Sequence, residues 1–547
     1  MPYNLLYESW IPVRREDGSE DTIKPSQIGE CENPPVALNA PRPDFNGALI
    51  QFLIGLVQTT CPPVTERAWR KWFKKPPTPQ DLDKRFEPIM DAFNVDGDGP
   101  RFLQDRERAW TKGRKHVPLQ DMLFDYEGKE AAKKNRAHFV KPHSIKLISP
   151  WAAIALYVYQ SNIHHTGGPN HPTLRGKLPA TTVILGENLW QTVWLNVIRR
   201  NEFERLAGSI HDNQLSDRFP WLEPQTSLNE KKTFREDIDA AQLYWPMPQR
   251  ILLKPVDEAT SNDEKSISYD GFFRVSSGIN YQPPWQHPLS PSRNGAVVRL
   301  RKRHLTYQGW TIFSGADPDH AYKPALVVQK YFASRTSVVQ DYHPRLWVFG
   351  FEDDPEKPTQ AIIKAYHERI MPLFLVPAKY RPDFEDFAHH LVQDAIKTAN
   401  GLRKALKRGL FGTYRKKGDK FVWDFPKSVE EATRKSIIAD TAARFWQDTE
   451  PTFYRLLSKA QAQLKGGNSD LDELREDWWK SDEGGNERDL HHARDLYDEV
   501  TGWGTFNTAD PRSVTQARRE LSRSIPAPPA SQKQEADTNL NAEDTDV

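Results

Sequence analysis

The chain has 547 residues, 75 Lys and Arg against 74 Asp and Glu, and a formal net charge of +1. That length exceeds what one hydrophobic core ordinarily supports, so two domains are expected. No apolar run is long enough to span a bilayer, and two cysteines, Cys31 and Cys61, exclude a framework of several disulfides and any all-cysteine zinc site. The opening, MPYNLLYESW, has no basic leader ahead of an apolar stretch, so a cytoplasmic location is expected.

In chain order, Leu5 to Val13 reads as a strand, Glu16-Asp17-Gly18 as a turn and Thr22-Ile23 as the return. A helix is predicted over Asp44–Thr59, burying Leu49, Ile50, Phe52, Leu53, Leu56 and Val57. Thr78, Pro79 and Asp81 supply the N-cap, first-turn proline and acidic residue of a helix ending near Phe93. Asn94 to Gly99 resembles half an EF-hand loop, but its twelfth position is Asp105 rather than a bidentate glutamate, so an acidic turn is the reading. From there to about Arg369, short strands, proline-rich loops and a few helices alternate without a repeat or a βαβ rhythm. Past Pro377, Phe384, Phe387, Leu391, Val392, Ala395, Ile396, Leu402, Ala405 and Leu406 keep helical spacing until Gly409 and Gly412. Ser428 and Glu431 form a capping box for a second long helix, which Pro451 should kink or split. Further helices are expected over Asp489–Thr501 and Pro511–Arg523. The sum is an α+β protein: a mixed domain with irregular loops over 1–376, an all-α four-helix bundle over 377–524 and a disordered tail over 525–547.

His164, His165 and His171 flank Gly167-Gly168-Pro169 without the spacing of a metal site, and no metal is expected there. The loop from Thr166 to Lys177 has paired glycines that allow close backbone approach, with Arg175 and Lys177 adding charge; taken alone, a structural turn is the favoured reading. It is not a P-loop, which would need glycine at His171. Four basic clusters stand out: Arg67–Lys75 interleaved with Trp69, Trp72 and Phe73; Lys133-Lys134-Asn135-Arg136; Arg299 to Arg303; and Arg403–Lys417. Charge is therefore distributed in patches that phosphate contacts would exploit. No nucleophile–base or paired-carboxylate motif stands in recognisable context. A metal-dependent nuclease using acidic loop residues and a purely structural scaffold remain the alternatives to a nucleic-acid-binding subunit.

Several stretches together resemble, in order and spacing, the CasA large-subunit family of type I-E CRISPR Cascade complexes. They are Asn4-Leu5-Leu6 with Trp10-Ile11-Pro12, Phe52 to Gln58, and Leu174-Arg175-Gly176 followed by Thr181-Thr182 and Leu195-Asn196-Val197. Gly271-Phe272, His287-Pro288 with Ser290-Pro291, Gln360-Ala361 and Leu402 to Leu406 continue the match. The resemblance implies a subunit without catalysis or cofactor, partnered by other Cascade subunits with crRNA and by double-stranded target DNA. It would recognise a protospacer-adjacent motif (PAM), begin strand separation for R-loop formation and help recruit a helicase–nuclease; no membrane is involved.

The same resemblance places a glycine loop at Gly167, Gly168 and Asn170, with Pro169 replacing one family glycine. It places a wedge at Thr359, Gln360 and Ala361, at a turn leading into an Ile362–Arg369 helix, and a subunit-contacting, motif-positioning loop at Phe139, Val140 and Lys141. Ser276 stands where some members have a finger lysine, and Arg274, two residues earlier on the same strand face, is the expected substitute. The Pro255–Ile267 stretch, where some members carry zinc-binding cysteines, has none, so no metal is expected. Lys404, Lys407, Arg408, Arg415, Lys416 and Lys417 would form a basic bundle surface that guides the displaced strand or docks other subunits.

Overall fold

The computed structural model describes residues 2–105, 107, 111–124, 145–162, 173–207, 214–223, 232–256, 266–275, 278–282, 285–317, 321–339, 342–353, 363–425, 431–479, 489–505 and 510–526. The chain divides into two compact units, Met1–Lys302 with Ala321–Leu373, and Arg303–His320 with Phe374–Val547. Among the described residues no helix is long and apolar enough to cross a membrane.

The first unit opens with β1 (Ile11–Arg15), paired antiparallel with β2 (Glu20–Ile23) on one side and β3 (Pro35–Leu38) on the other. The strand expected from Leu5 begins only at Ile11. Asn4 Oδ1 accepts from the Leu6 N–H at 2.9 Å and Trp10 Nε1 donates to Leu5 O at 2.7 Å, so Leu5 and Leu6 are buried in a turn instead. Helix α1 (Pro43–Thr60) matches its expectation within a residue at each end and is buried on nearly all sides from Gly47 to Gln58, the pattern of a helix inside a core. Its Phe52 is ringed by Trp10, Phe93, Phe102, Tyr157 and Trp245 at centroid distances of 5.6 to 6.4 Å.

Helix α2 (Glu66–Lys74) turns Trp69 and Phe73 inward. Trp69 Nε1 donates to Trp194 O at 3.0 Å, and Trp194 Nε1 returns the bond to Trp69 O at 2.8 Å. Two of the aromatics interleaved with this basic cluster, Trp69 and Phe73, thus belong to the core, while Trp72 is half-buried with Arg85 over its ring at 4.8 Å. Helix α3 (Pro79–Phe86) carries the reciprocal Thr78–Asp81 capping box and gives way to a 3-10 turn over Glu87–Phe93. The acidic turn after it is structural: Asp96 Oδ1 accepts from the Tyr3 N–H at 2.9 Å, and Asp105 pairs with Arg250.

The rest of this unit is built on helix α4 (Ser149–Ser161), strand β4 (Thr181–Leu185), helix α5 (Leu189–Leu195) and strands β5 (Arg250–Pro255), β6 (Ser268–Val275), β7 (Arg345–Asp353) and β8 (Ile363–Pro372). Strand β7 lies between β8 and β4, antiparallel to both. Here the helix expected over Ile362–Arg369 is absent. Lys, Ala, Glu and Arg give that stretch helical propensity, but pairing with β7 from Arg345↔Pro372 to Asp353↔Ile363 supplies its backbone bonds. Tyr366 also packs edge-on against Phe351 at 5.2 Å, and tertiary context outweighs local preference.

The second unit contains α6 (Tyr307–Ser314), α7 (Arg381–Phe411), β9 (Thr413–Lys417), β10 (Lys420–Asp424), α8 (Glu431–Lys465), α9 (His492–Thr501) and α10 (Pro511–Ser524). Helix α7 packs against α6, α8, α9 and α10. The helical region is therefore present, with a β-hairpin set into it. Gly409 does not stop α7; it lies inside, where a side chain would collide with Tyr497, and the helix ends at Gly412. Nor does Pro451 split α8, which runs on through it. Ala442 and Phe445 before it and Phe453, Leu456 and Leu457 after it are all buried, so core packing holds both halves in one helix. Of the tail over 525–547, all but Ile525 and Pro526 lies outside the described residues.

Candidate nucleic-acid interface

Strand β6 is flanked by β5 along one edge and by the short strands Val117–Pro118 and Leu147–Ile148 along the other. Alternation puts Phe272 and Arg274 on one face. That face meets α4: the Phe272 and Tyr159 rings stand edge-on at 5.7 Å, and Arg274 Nη1 donates to Tyr159 Oη at 2.6 Å. Burial pushes the Tyr159 phenol up to about 12, so it stays a neutral partner. Arg274 is half-buried, held beside the last turn of α4, three residues before Asn162. After Asn162 the chain enters 163–172, the segment carrying the expected glycine loop.

The far side of that segment is fixed by Arg175. Read from the sequence as charge available to a ligand, Arg175 is instead buried, with its guanidinium in a socket of polar acceptors. Nη1 donates to Asn162 Oδ1 at 3.3 Å and to Gln51 Oε1; Nη2 donates to Thr181 Oγ1 at 2.8 Å and Ser290 Oγ at 2.7 Å. Burial lowers its pKa to about 10, still charged at neutral pH. One side chain thereby ties the residue before the 163–172 segment to α1 and to the start of β4. Gln51 is itself braced by donating to Gly47 O at 2.8 Å.

The start of β4 leads to the third element. Thr181 lies opposite Phe349 of β7, and four residues further along β7 is Asp353, about 13 Å away at strand rise. Residues 354–362, which include the expected wedge, connect β7 to β8 from that end. Gly47 lets α1 approach this hairpin closely, since a side chain there would strike Tyr366 and Phe349. Phe124, the last described residue before 125–144, packs against Phe351 at 5.5 Å and Tyr366 at 6.3 Å. Alongside runs a basic strip: Arg299, exposed, is bridged to Pro179, and the Lys302 N–H donates to Glu352 Oε1 at 3.2 Å. Sequence reasoning noted this cluster without assigning it; its link to the hairpin spans 50 residues and leaves no local signal.

Phe139, Val140, Lys141, Gly167, Gly168, Asn170, Thr359, Gln360, Ala361 and Ser276 lie outside the described residues, as do His164, His165, His171 and the 133–136 cluster. What the structure brings together is the set of anchors: Arg274 with the end of α4, Arg175 with β4, and the distal half of the β7–β8 hairpin with Phe124.

In the second unit Lys404 and Lys407 are exposed on α7, while Arg408 is paired with Glu520 and stands over the Trp423 ring at 5.4 Å. Arg415, Lys416 and Lys417 are on β9 rather than on a helix, and Arg415 is paired with Asp424. Among the described residues, no three His, Cys, Asp or Glu side chains are grouped so as to hold a metal.

A family model described as CRISPR-associated protein Cse1 matches residues 4–481. The fold is similar to Thermus thermophilus CasA (Cse1), with a TM-score of 0.67 and 16% identity over 96% of this chain and 99% of that one. It is similar to Cse1 from Acidimicrobium ferrooxidans, also with a TM-score of 0.67 and 16% identity, over 96% and 98%. A chain of a CRISPR RNA-guided surveillance complex gives 0.63 and 15% over 96% and 100%. At such identities the structural likeness establishes a shared fold.

Proposed function

The chain belongs to the CRISPR-associated protein Cse1 family, and from that premise we propose that it is the large subunit of an RNA-guided, Cascade-type surveillance complex. In this role it joins other subunits with crRNA, reads a short motif in duplex DNA, starts strand separation and helps recruit a helicase–nuclease, without catalysis of its own. The observation that carries the reading is the set of shared anchors in the first unit. Arg274, the ends of the segment holding Gly167, Gly168 and Asn170, and the root of the segment holding Thr359, Gln360 and Ala361 are joined through α4, Arg175, β4 and β7. Backbone and one basic side chain approaching from the minor groove discriminate mainly A·T from G·C, so several related motifs would be accepted. A wedge under the motif unstacks a base step at a cost of a few kcal/mol. Guide pairing and duplex pairing nearly balance, so a small local push is enough to nucleate opening.

The test replaces Gln360 and Ala361 with glycine. Assembly of the guide complex should be normal, R-loop formation on duplex targets slowed, and binding to single-stranded targets unchanged. Equal opening rates in the variant and the parent would remove the wedge, and indifference to the flanking motif would remove the reading as a whole. Cleavage of DNA by the purified chain with magnesium, abolished by changing an acidic residue, would favour a nuclease instead.

A further inference from the structure

The sheet of β8, β7 and β4 has two outer edges, and they differ. Along β4 the outward N–H groups are occupied: Ala180 donates to Val298 O at 2.8 Å, Thr182 to Leu289 O at 2.8 Å and Ile184 to Asn196 Oδ1 at 2.9 Å. Along β8 they are open. The Leu373 N–H donates to Pro344 O at 3.0 Å, so by alternation Met371, Arg369 and His367 also turn their backbone groups towards β7, while Tyr366, Glu368 and Ile370 turn theirs away. None of these three N–H groups has an acceptor among the described residues.

Beside this edge lies a groove of about 680 Å³. Its other wall is β3, itself an edge strand, whose pairing with β1 (Asn39 N–H to Pro12 O at 2.9 Å) likewise turns the Leu38 N–H outward. Ile50 of α1 is buried at its base, and Trp347 and Ile370, opposite each other in the β7–β8 register, line its β8 side. Ile370 is 53% exposed. The lining carries Arg14, Arg345 and Arg369 against Glu187 and Glu368, and the carboxylate of Glu368 already accepts from Trp347 Nε1 at 3.2 Å. Arg14 is exposed and has no charged partner among the described residues.

We propose that this groove takes an extended segment of a partner protein, which adds a strand to β8 through the main-chain groups of Tyr366, Glu368 and Ile370. The segment sets apolar side chains against Trp347 and Ile370 and carries a carboxylate to Arg14. An open edge running about 14 Å from Tyr366 to Ile370 at strand rise is a template for another chain. Strand addition takes its affinity from main-chain bonds and its specificity from alternate side chains, and both elements are present here. A second copy of this chain suits the groove less well, because β3 stands along it and leaves room for one extended segment rather than a whole sheet. The groove is at the Arg345–Pro372 end of the hairpin, away from residues 354–362, so the site is distinct from motif reading and does not depend on it.

The test pans a phage-displayed library of random nonapeptides against the full chain and measures the strongest binder, made with fluorescein, by fluorescence anisotropy. The selected sequences should alternate apolar with polar residues and include Asp or Glu. Glu368→Pro removes one outward N–H and leaves the bonds to β7 in place, as a proline on an edge does, and should weaken binding about ten-fold. Glu368→Ala keeps that N–H and should bind like the parent. Ile370→Asp should also weaken binding about ten-fold, through lost apolar burial, and tests the site independently if the proline variant fails to fold. Arg14→Glu should weaken binding about five-fold, and exchanging the carboxylate of the peptide for a lysine should restore it. A library that yields no binder, or a binder equally tight on the parent, Glu368→Pro and Ile370→Asp, overturns the proposal. So does a chain that sediments as a dimer and becomes a monomer in Glu368→Pro, which would give the groove to a second copy. No readout contains nucleic acid, so failure here is distinct from failure of motif reading.

Discussion

Burying a guanidinium is costly unless its N–H groups find acceptors, and removing one partner of such a buried set costs more than the set contributes net. Arg175 satisfies that condition through Gln51, Asn162, Thr181 and Ser290. Arg175→Ala should therefore destabilise the first unit by about 3–5 kcal/mol, read as a lower urea midpoint, and Arg175→Lys should recover little because a lysine lacks the planar fork. His287 adds a pH effect. It is buried, its Nδ1 accepts from the Leu289 N–H at 3.1 Å, and burial first and the Arg175 charge second hold its pKa well below the usual histidine value. Below about pH 6.5 the unfolded chain takes up a proton that the folded chain refuses, so stability falls on acidification. Its share of the slope is at most about 1.4 kcal/mol per pH unit. Urea unfolding at pH 7, 6 and 5 should show this loss, and His287→Asn should reduce the slope; an unchanged slope would mean that other groups govern it. Neither residue announces its burial in the sequence. Arg175 sits beside glycines and Lys177, as a ligand-facing arginine would, while two of its acceptors lie 124 and 115 residues away.

At the level of elements, Pro451 is the clearest case of packing overriding a local rule. A proline within a helix lacks the N–H that would bond four residues back and crowds that carbonyl, yet α8 continues through it and Pro451 itself faces solvent. Pro451→Ala should raise stability by about 1–3 kcal/mol, seen as a higher melting temperature; a lower one would show that the core needs the bend proline imposes. Helices α1 and α7 were legible because apolar side chains recur at helical spacing within one segment. Strand β8 was not, since its helix-forming residues are recruited by β7, its partner across the hairpin. The β9–β10 hairpin did leave a signal, alternating aromatic and lysine residues around Gly418-Asp419, but the basic run dominated the reading. For the first-unit interface, the sequence pointed to the loops through family-like motifs, whereas the anchors are distant pairings with no local period.

For the whole molecule, the chain passes between its two units three times, because Arg303–His320 belongs with the helical unit. Within that unit Tyr307 stacks on Phe453 at 4.6 Å and its hydroxyl meets Thr449 Oγ1 at 2.9 Å. Trp310 packs against Phe374, Phe384 and Phe453. A fragment covering only 374–526 should therefore expose an apolar slot, bind a hydrophobic dye and unfold with low cooperativity. Adding a peptide of residues 303–317 should suppress the dye signal and sharpen the transition; a fragment that melts as sharply without the peptide would show that α6 is dispensable.

This discontinuity also bears on biosynthesis. Thr449 lies 142 residues beyond Tyr307, so at about 5–20 residues per second the rings of α6 leave the ribosome roughly seven to thirty seconds before the segment that shelters them. During translation the nascent polypeptide carries an unsheltered aromatic helix through the making of β7, β8, all of α7, the β9–β10 hairpin and the first half of α8, and that interval is where a chaperone has most to protect.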